Sequence, residues 1–441
     1  MSLTIVLQFV VVLAAIWMGA RSSGVGLGLW GAVGLLVLVV AFGVNPTSPP
    51  VDVMLIILAV IMAASVMDAA GGIDFLVRIA ERIIRANPKY VTIVAPLTTW
   101  TFTFLAGTGH IVYPLLPVIY ETAHRNGIRP ERPMAVATIA SQQAITASPV
   151  AAATAAMIGL FSEKGLTQWG LPEILMVCVP ATLTGVVAAA IVSMFIGKDL
   201  KDDPEYQARL AAGAIPAPAV DSDRRPLKPA AKASAFVFLT GVALVVLFGF
   251  FPALRTLPGA KSALAMPIVI EIVMMSVAAI MLVVTKIIVD EVPKTPTLRA
   301  GVVAVIGIFG LAWLGDSFIA AHKDVIVPAI GDWAKVAPWT FAFGLFFASV
   351  LLYSQAATTR ALMPLGIALG IPPQFLIAMF PSVNGYFFIP TYGSLIAAIN
   401  FDLSGTTKIG KYVINHSFMI PGIVATAVAV ITGLAIARML F

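Results

Sequence analysis

The residues best suited to chemistry in this chain are mostly uncharged, and they sit inside apolar stretches. One run reads Ser141-Gln142-Gln143-Ala144-Ile145-Thr146-Ala147-Ser148-Pro149; another reads Pro381-Ser382-Val383-Asn384-Gly385, followed by Pro390-Thr391-Tyr392. Two more are Ala106-Gly107-Thr108-Gly109-His110 and Ser354-Gln355-Ala356-Ala357-Thr358-Thr359-Arg360. Proline removes a backbone donor and frees a carbonyl. The broken ends of a helix expose N–H groups where the dipole favours an anion. Hydroxyls and amides add donors without burying charge. That combination suits a small carboxylate. The candidate ligands are Thr108, Gly109, His110, Ser141, Gln142, Thr146 and Ser148 in the first half of the chain. In the second half they are Ser354, Gln355, Thr358, Thr359, Arg360, Ser382, Asn384, Thr391 and Tyr392. For any one of them, helix packing by small polar residues is an equal explanation; recurrence in four clusters at corresponding places favours a site.

Three charged types need separate treatment. Arg360 sits inside an apolar segment, where a cation is costly unless it faces water or a partner. Its fork could hold one carboxylate, or it could snorkel to an interface. His110 could bind a ligand, carry a proton, or hydrogen-bond across its own turn. Asp68 and Asp316 each end a long apolar run and, with His110, are candidates for proton or cation coupling; the alternative is a solvated helix end.

The elements that must position these residues are membrane spans. Of 441 residues, 60% are hydrophobic and 11% charged, with a net charge of +6. A soluble domain is about 25% charged, and apolar runs of about twenty residues can cross a hydrocarbon core. The composition excludes soluble enzymes, disordered scaffolds and nucleic-acid binders; the lipid bilayer is the expected partner. Cys178 is the single cysteine, and the four histidines at 110, 124, 322 and 416 form no His-x-x-x-His pair. With no P-loop pattern either, no metal, nucleotide or other cofactor is expected. The first charge, Arg21, follows an apolar run, so residues 3–20 read as a retained span.

The expected spans are 3–20, 24–43, 51–67, 133–159, 171–197, 233–254, 265–286, 300–320, 374–399 and 412–438. Segments 90–123 and 337–370 are interrupted near their middles and are too short for two crossings, so they read as re-entrant hairpins. An amphipathic segment precedes each hairpin, at 70–88 and 322–336. Residues 1–197 and 233–441 then contain the same order of parts, five spans and a hairpin each, joined by a hydrophilic linker, 198–232. An odd number of spans before the linker inverts the second unit relative to the first. Ser141 to Pro149 and Ser382 to Pro390 have the same spacing. The expected fold is an all-α polytopic membrane protein of two inverted-topology repeats, about ten transmembrane helices plus two re-entrant hairpins and broken helices. Secondary transporters use such repeats, with the ligand near the midplane. Most of the 27 Lys and Arg fall at Arg21 and in 78–89, 124–132, 198–232, 286–299 and 400–411. These segments share one side, which the positive-inside rule assigns to the cytoplasm; both termini then face outward.

Several motifs carry a resemblance over essentially the whole chain. They include Asn87-Pro88-Lys89-Tyr90-Val91, Gly107-Thr108-Gly109-His110, Asn126-Gly127-Ile128-Arg129-Pro130-Glu131-Arg132-Pro133-Met134-Ala135 and Ser354-Gln355-Ala356-Ala357. The C-terminal part adds Ile389-Pro390-Thr391-Tyr392, Ser404-Gly405-Thr406-Thr407 and Val413-Ile414-Asn415-His416-Ser417-Phe418. With these motifs the sequence resembles the Dcu family of bacterial anaerobic C4-dicarboxylate transporters. The resemblance implies a multi-pass inner-membrane carrier for fumarate, succinate, malate and aspartate that exchanges one dicarboxylate for another. It also implies kinship with the ion-transporter superfamily and a homodimer with a scaffold and a moving transport part. The sequence departs from the family pattern at Val350, Tyr353, Arg360 and Leu395.

The leading reading is a dicarboxylate antiporter. A proton- or sodium-coupled dicarboxylate symporter is the alternative, through Asp68, Asp316 or His110. An anion channel fits opposed hairpins less well, and a membrane enzyme would need a catalytic cluster that the sequence does not display. Cysteine probes in 198–232 are expected to react only from the cytoplasmic side, and probes in 255–262 only from outside. Labelling of 198–232 from outside would overturn both the orientation and the inversion.

Overall fold

The computed structural model describes residues 3–22, 24–215, 226–260, 262–412 and 414–441, and helices dominate it. In chain order they are α1 Leu3–Ser22, α2 Gly26–Phe42, α3 Val51–Ala69, α4 Gly72–Ala86, α5 Val91–Ala106, α6 Val112–Arg125, α7 Glu131–Gln143, α8 Ala152–Glu163, α9 Leu171–Ser193 and α10 Pro204–Ala211. The rest are α11 Ala231–Phe250, α12 Met266–Thr285, α13 Pro296–Gly307, α14 Trp313–Val336, α15 Phe341–Leu352, α16 Gln355–Ala368, α17 Pro373–Met379, α18 Gly393–Phe401 and α19 Met419–Leu440. The only β pairing among the described residues is an isolated bridge, Ile409 to His416. Among the described residues, six helical segments are long and apolar enough to cross a membrane: α3, α9, α11, α12, Pro296–Val325 and α19.

Where the sequence places interruptions, the helices break. The segment 90–123 becomes α5 and α6 joined at Gly107–Ile111, and 337–370 becomes α15 and α16 joined at Tyr353–Ser354. The expected span 133–159 splits into α7, a 3-10 turn at Ala144–Thr146, and α8. The span 374–399 splits into α17, a 3-10 segment Phe380–Phe387, and α18. Prolines 149, 381 and 390 stand in the gaps or at their edges, where the missing N–H has no ladder to break.

Two boundaries differ from expectation. The segment 322–336 is no separate interfacial helix: α13 continues through a π-helical turn, Ile308–Ala312, into α14, which runs unbroken to Val336. Ile319-Ala320-Ala321-His322 contains no breaker, so nothing ends the helix there. The last span begins at Met419 rather than 412. Val413 of that expected span, and positions 216–225 of the expected linker, lie outside the described residues. The other amphipathic segment does form α4, which buries Leu76, Val77, Ala80 and Ile84.

Packing groups the helices. α9 lies along α19, α5 against α7, α3 against α12 and α13, and α15 against the 3-10 segment 380–387. α1 and α2 pair, and α2 rests on the π-helical turn. The part of the linker after α9 is tied down. Arg129 donates to Glu131, to Asp203 and, at 3.2 Å, to the carbonyl of Lys198. Burial works to raise the Asp203 carboxyl, but the Arg129 hydrogen bond and charge hold it below the usual carboxylate range.

The α2 contact is backbone on backbone. A Cβ on Gly310 would stand 1.7 Å from the carbonyl oxygen of Gly28, and one on Gly28 would stand 2.0 Å from that of Ile306. No side chain can retreat to make room. Gly310→Ala is expected to cost about 1–3 kcal/mol or more, as overpacking does, read as a lower melting temperature in detergent. An unchanged melting temperature would show that α2 and the π-helical turn separate freely.

Candidate functional site

Each helical hairpin turns in the same way. The first arm ends on a left-handed residue: Gly107 at φ 70° after α5, and Tyr353 at φ 50° after α15. An extended residue with a hydroxyl then caps the second arm. Thr108 Oγ1 accepts from His110 N at 3.3 Å, and Ser354 Oγ accepts from Ala357 N at 3.2 Å. A hydroxyl that caps by accepting still has its own proton to donate. Gly107 is required, because a Cβ there would lie 2.5 Å from the carbonyl oxygen of Val150. Tyr353 tolerates a conformation that costs a non-glycine residue about 1–2 kcal/mol. Its hydroxyl is 2.6 Å from Thr391 Oγ1, and its ring lies parallel to Tyr392 with centroids 6.3 Å apart.

The two tips and the two broken spans meet at one cavity of about 870 Å³. Of the expected ligands, Thr108, Gly109, His110 and Gln142 line it from the first half of the chain. Ser354, Gln355, Thr391 and Tyr392 line it from the second. Tyr353, named above only as a departure from the family pattern, lines it too, as do Tyr113 and Arg299, which the sequence reading passed over. Tyr113 and Tyr353 flank recognised motifs, so position relative to the tips could have found them. Arg299 reads as one more basic residue of a loop; only the packing of α13 against α3 brings it here.

The remaining expected ligands lie behind the wall. Ser141 donates to the carbonyl of Thr138 at 2.8 Å, and Thr146 to that of Gln143 at 2.9 Å. Ser148 donates to Phe104 O at 2.7 Å, fixing the first broken span to the first hairpin. Thr358 and Thr359 donate back to Ser354 O and Gln355 O at 2.8 and 2.7 Å, one helical turn away. Ser382 and Asn384 are buried and do not line the cavity. Asn384 belongs to an amide chain that crosses the molecule. Gln355 Nε2 donates to Gln142 Oε1 at 2.8 Å and to Asn384 Oδ1 at 3.2 Å. Asn384 Nδ2 donates to Gln143 Oε1 at 3.3 Å, and Gln143 Nε2 to Thr426 Oγ1 at 2.9 Å. One hairpin tip, both broken spans and α19 are thus held in one register.

Arg360 corrects the sequence expectation. It is only 1% exposed, and both of its terminal nitrogens already have carboxylate partners, while Nε has none. Nη1 donates to Glu163 Oε2 at 2.8 Å and Nη2 to Asp316 Oδ2 at 3.2 Å. It is absent from the cavity lining and ties α16 to the end of α8 and to α14. Spacing along one helix could not reveal this, because its partners are 197 and 44 residues away. Asp316 is therefore an ion-pair partner. Asp68, at the end of α3, accepts from Thr297 Oγ1 at 2.7 Å and does not line the cavity.

Comparison with known proteins adds the following. The sequence profile of a family described as anaerobic C4-dicarboxylate membrane transporters matches residues 4–441. The chain is 39% identical over 443 residues to the anaerobic C4-dicarboxylate transporter DcuB of Escherichia coli, covering 98% of each. It is 40% identical over 441 residues to the C4-dicarboxylate transporter DcuA of Wolinella succinogenes, covering 99% of this chain and 100% of that one. It is 42% identical over 431 residues to DcuA of Escherichia coli, covering 97% and 98%. Among solved structures, the YdaH transporter of Alcanivorax borkumensis matches with a TM-score of 0.54 at 15% identity, over 92% of this chain and 89% of that one. MtrF of Neisseria gonorrhoeae matches with a TM-score of 0.51 at 13% identity, over 93% and 85%. At these identities the two structures speak to the fold alone.

Arg360→Ala leaves Glu163 and Asp316 facing each other without their shared cation. Breaking a buried pair costs about 3–5 kcal/mol, and the lower end is expected because Glu163 still reaches water. A melting curve of the variant in detergent measures this. Stability equal to wild type would show that the trio holds nothing together.

Proposed function

The chain belongs to the anaerobic C4-dicarboxylate membrane transporter family, and we propose that it exchanges C4-dicarboxylates, succinate against fumarate, malate or aspartate, by alternating access. The observation that carries the reading is the cavity. Both hairpin tips and both broken spans contribute to it, and donors line it from both halves of the chain. Among its described lining residues none is Asp, Glu or Lys, and the one fixed charge is a cation, Arg299. A wall of hydroxyls, amides and a histidine around a positive charge suits a dianion, and exchange of one dianion for another needs no coupling ion.

The repeats are proposed to be inverted, with the hairpins entering from opposite faces and the substrate held between their tips. The order of elements supports this. Two helices, a third, a hairpin, a broken span and a final long helix occur in that order once before α10 and once after it, with α4 present only in the first half. The same proposal places the protein in the bacterial inner membrane as a homodimer with both termini in the periplasm. Gly19, Gly24, Pro296 and Arg299, at the helix ends that the charge bias puts in the cytoplasm, line the cavity. The state described is then open inward.

Labelled succinate loaded into proteoliposomes tests the function. External fumarate, malate or aspartate is expected to accelerate its exit, and citrate to do so less. Exit that no external dicarboxylate accelerates would sink the exchange reading in favour of a channel. Losing one donor to a charged ligand costs about 1.5–3 kcal/mol, roughly ten- to a hundredfold in affinity. Thr108→Ala and Ser354→Ala, which remove the hydroxyl protons left free at the two tips, are expected to raise the KM for succinate on that scale. Ser141→Ala and Thr359→Ala, whose hydroxyls bond their own helices, should leave it nearly unchanged. The opposite ranking would move the substrate out of this cavity.

A further inference from the structure

We propose that Arg299 receives the substrate at the cytoplasmic mouth of the cavity and makes the transporter favour two negative charges over one. The inference rests on the carrier reading above and assigns a role to a residue outside every motif discussed. Arg299 stands in the first turn of α13 and is exposed where it lines the cavity. No hydrogen bond or ion pair engages its guanidinium among the described residues.

The neighbouring polar groups of that turn are already used. Thr295 Oγ1 caps the helix by accepting from Leu298 N at 3.2 Å. Thr297 Oγ1 donates to Asp68 Oδ2 at 2.7 Å, so the acid that touches this turn is engaged by a hydroxyl. Across the mouth, Gly19 and Gly24 bring no charge, and Arg21 between them lies over the Trp17 ring, 4.7 Å from its centroid. Asp68 keeps its negative charge in its hydrogen bond to Thr297 but makes no ion pair with Arg299, which is left as the one fixed charge among the described residues that line the wall. In a cleft with apolar sides its field is focused on whatever enters. The helix start beneath it adds a partial positive charge of its own.

The geometry separates Arg299 from Arg360. Arg360 is buried, doubly paired and structural; Arg299 is wet and unpaired, and acts through charge. Lysine should therefore replace Arg299. In the proposed orientation the end of the cavity that holds Arg299 faces the cytoplasm, so the effect should be one-sided.

The test measures succinate exchange in inside-out and right-side-out membrane vesicles carrying wild type, Arg299→Ala or Arg299→Lys. Between the range for an exposed ion pair and that for a charged hydrogen bond, Arg299→Ala is expected to raise the KM about three- to tenfold at the cytoplasmic face. The KM at the outer face should stay at the wild-type value. Arg299→Lys should stay near wild type on both faces. The cytoplasmic KM of wild type should rise with ionic strength more steeply than that of Arg299→Ala, because salt screens a solvated charge within about 8 Å at physiological strength. A monocarboxylate that competes at the cytoplasmic face should lose less affinity than succinate does. An unchanged cytoplasmic KM in Arg299→Ala, an equal rise on both faces, or a lysine variant as impaired as alanine would overturn the proposal while leaving the carrier reading intact. Wild-type vesicles without exchange of any dicarboxylate would overturn the carrier reading itself.

Discussion

Every backbone N–H and C=O placed in hydrocarbon must find a partner inside the protein. Much of this structure follows from that constraint. Irregular backbone occurs at four places inside apolar stretches, and each is closed by neighbours rather than by lipid. Ser148 reaches the carbonyl of Phe104, Ser349 Oγ accepts from Gly385 N at 2.7 Å, and Thr108 and Ser354 cap their own arms. The breaks are stable because they are satisfied in pairs, each hairpin against a broken span. A chain that must satisfy its breaks in this way also brings them together, and the cavity forms where they meet.

The charges divide along the same line. A buried arginine in a membrane protein is costly unless it is paired, and Arg360 finds two carboxylates on different helices. Its cost is offset by joining α16, α8 and α14, so it stabilises an arrangement rather than a ligand. The amide chain from Gln142 to Thr426 does similar work without charge, holding one hairpin tip and both broken spans in one register. What remains around the cavity is the set of groups that the fold leaves unpartnered. These are the hydroxyl protons of the two caps, the His110 ring, which stacks on Tyr113 at 5.9 Å, and Arg299.

Close approach sets a second limit. α2 reaches the π-helical turn with nothing but backbone between them, at Gly28 and Gly310. The π turn adds a residue within a helix that otherwise runs from Pro296 to Val336, and such turns are often found at functional sites. Here it lies partway between Arg299 at one end of the cavity and Asp316, the partner of Arg360. One rigid element thus carries both the free cation's position and half of the buried pair's negative charge.

The sequence by itself determined the class of molecule and most element boundaries. Hydropathy and breakers act locally: apolar runs make α3, α9, α11 and α12, and Gly107, Pro149, Pro381 and Pro390 lie at the interruptions. Runs of small and polar residues, Ala106–His110 and Ser354–Arg360, already marked the interruptions of the two hairpins. It could not determine which polar residues face the cavity and which face protein. Ser141 and Gln142 are adjacent, yet one bonds its own helix and the other lines the wall, because helical neighbours differ by about 100° in direction and only packing selects a face. Nor could it distinguish the roles of two arginines. Arg360 looked like a ligand because a cation inside an apolar hairpin needs a partner, and Arg299 looked like loop charge. Their roles follow from which carboxylates the tertiary structure brings within reach. Asp316 and Glu163 come to Arg360 from distant parts of the chain, while Asp68 accepts from Thr297 and makes no ion pair with Arg299. Pairing of charges across helices is a long-range fact, and the local sequence has no means of encoding it legibly.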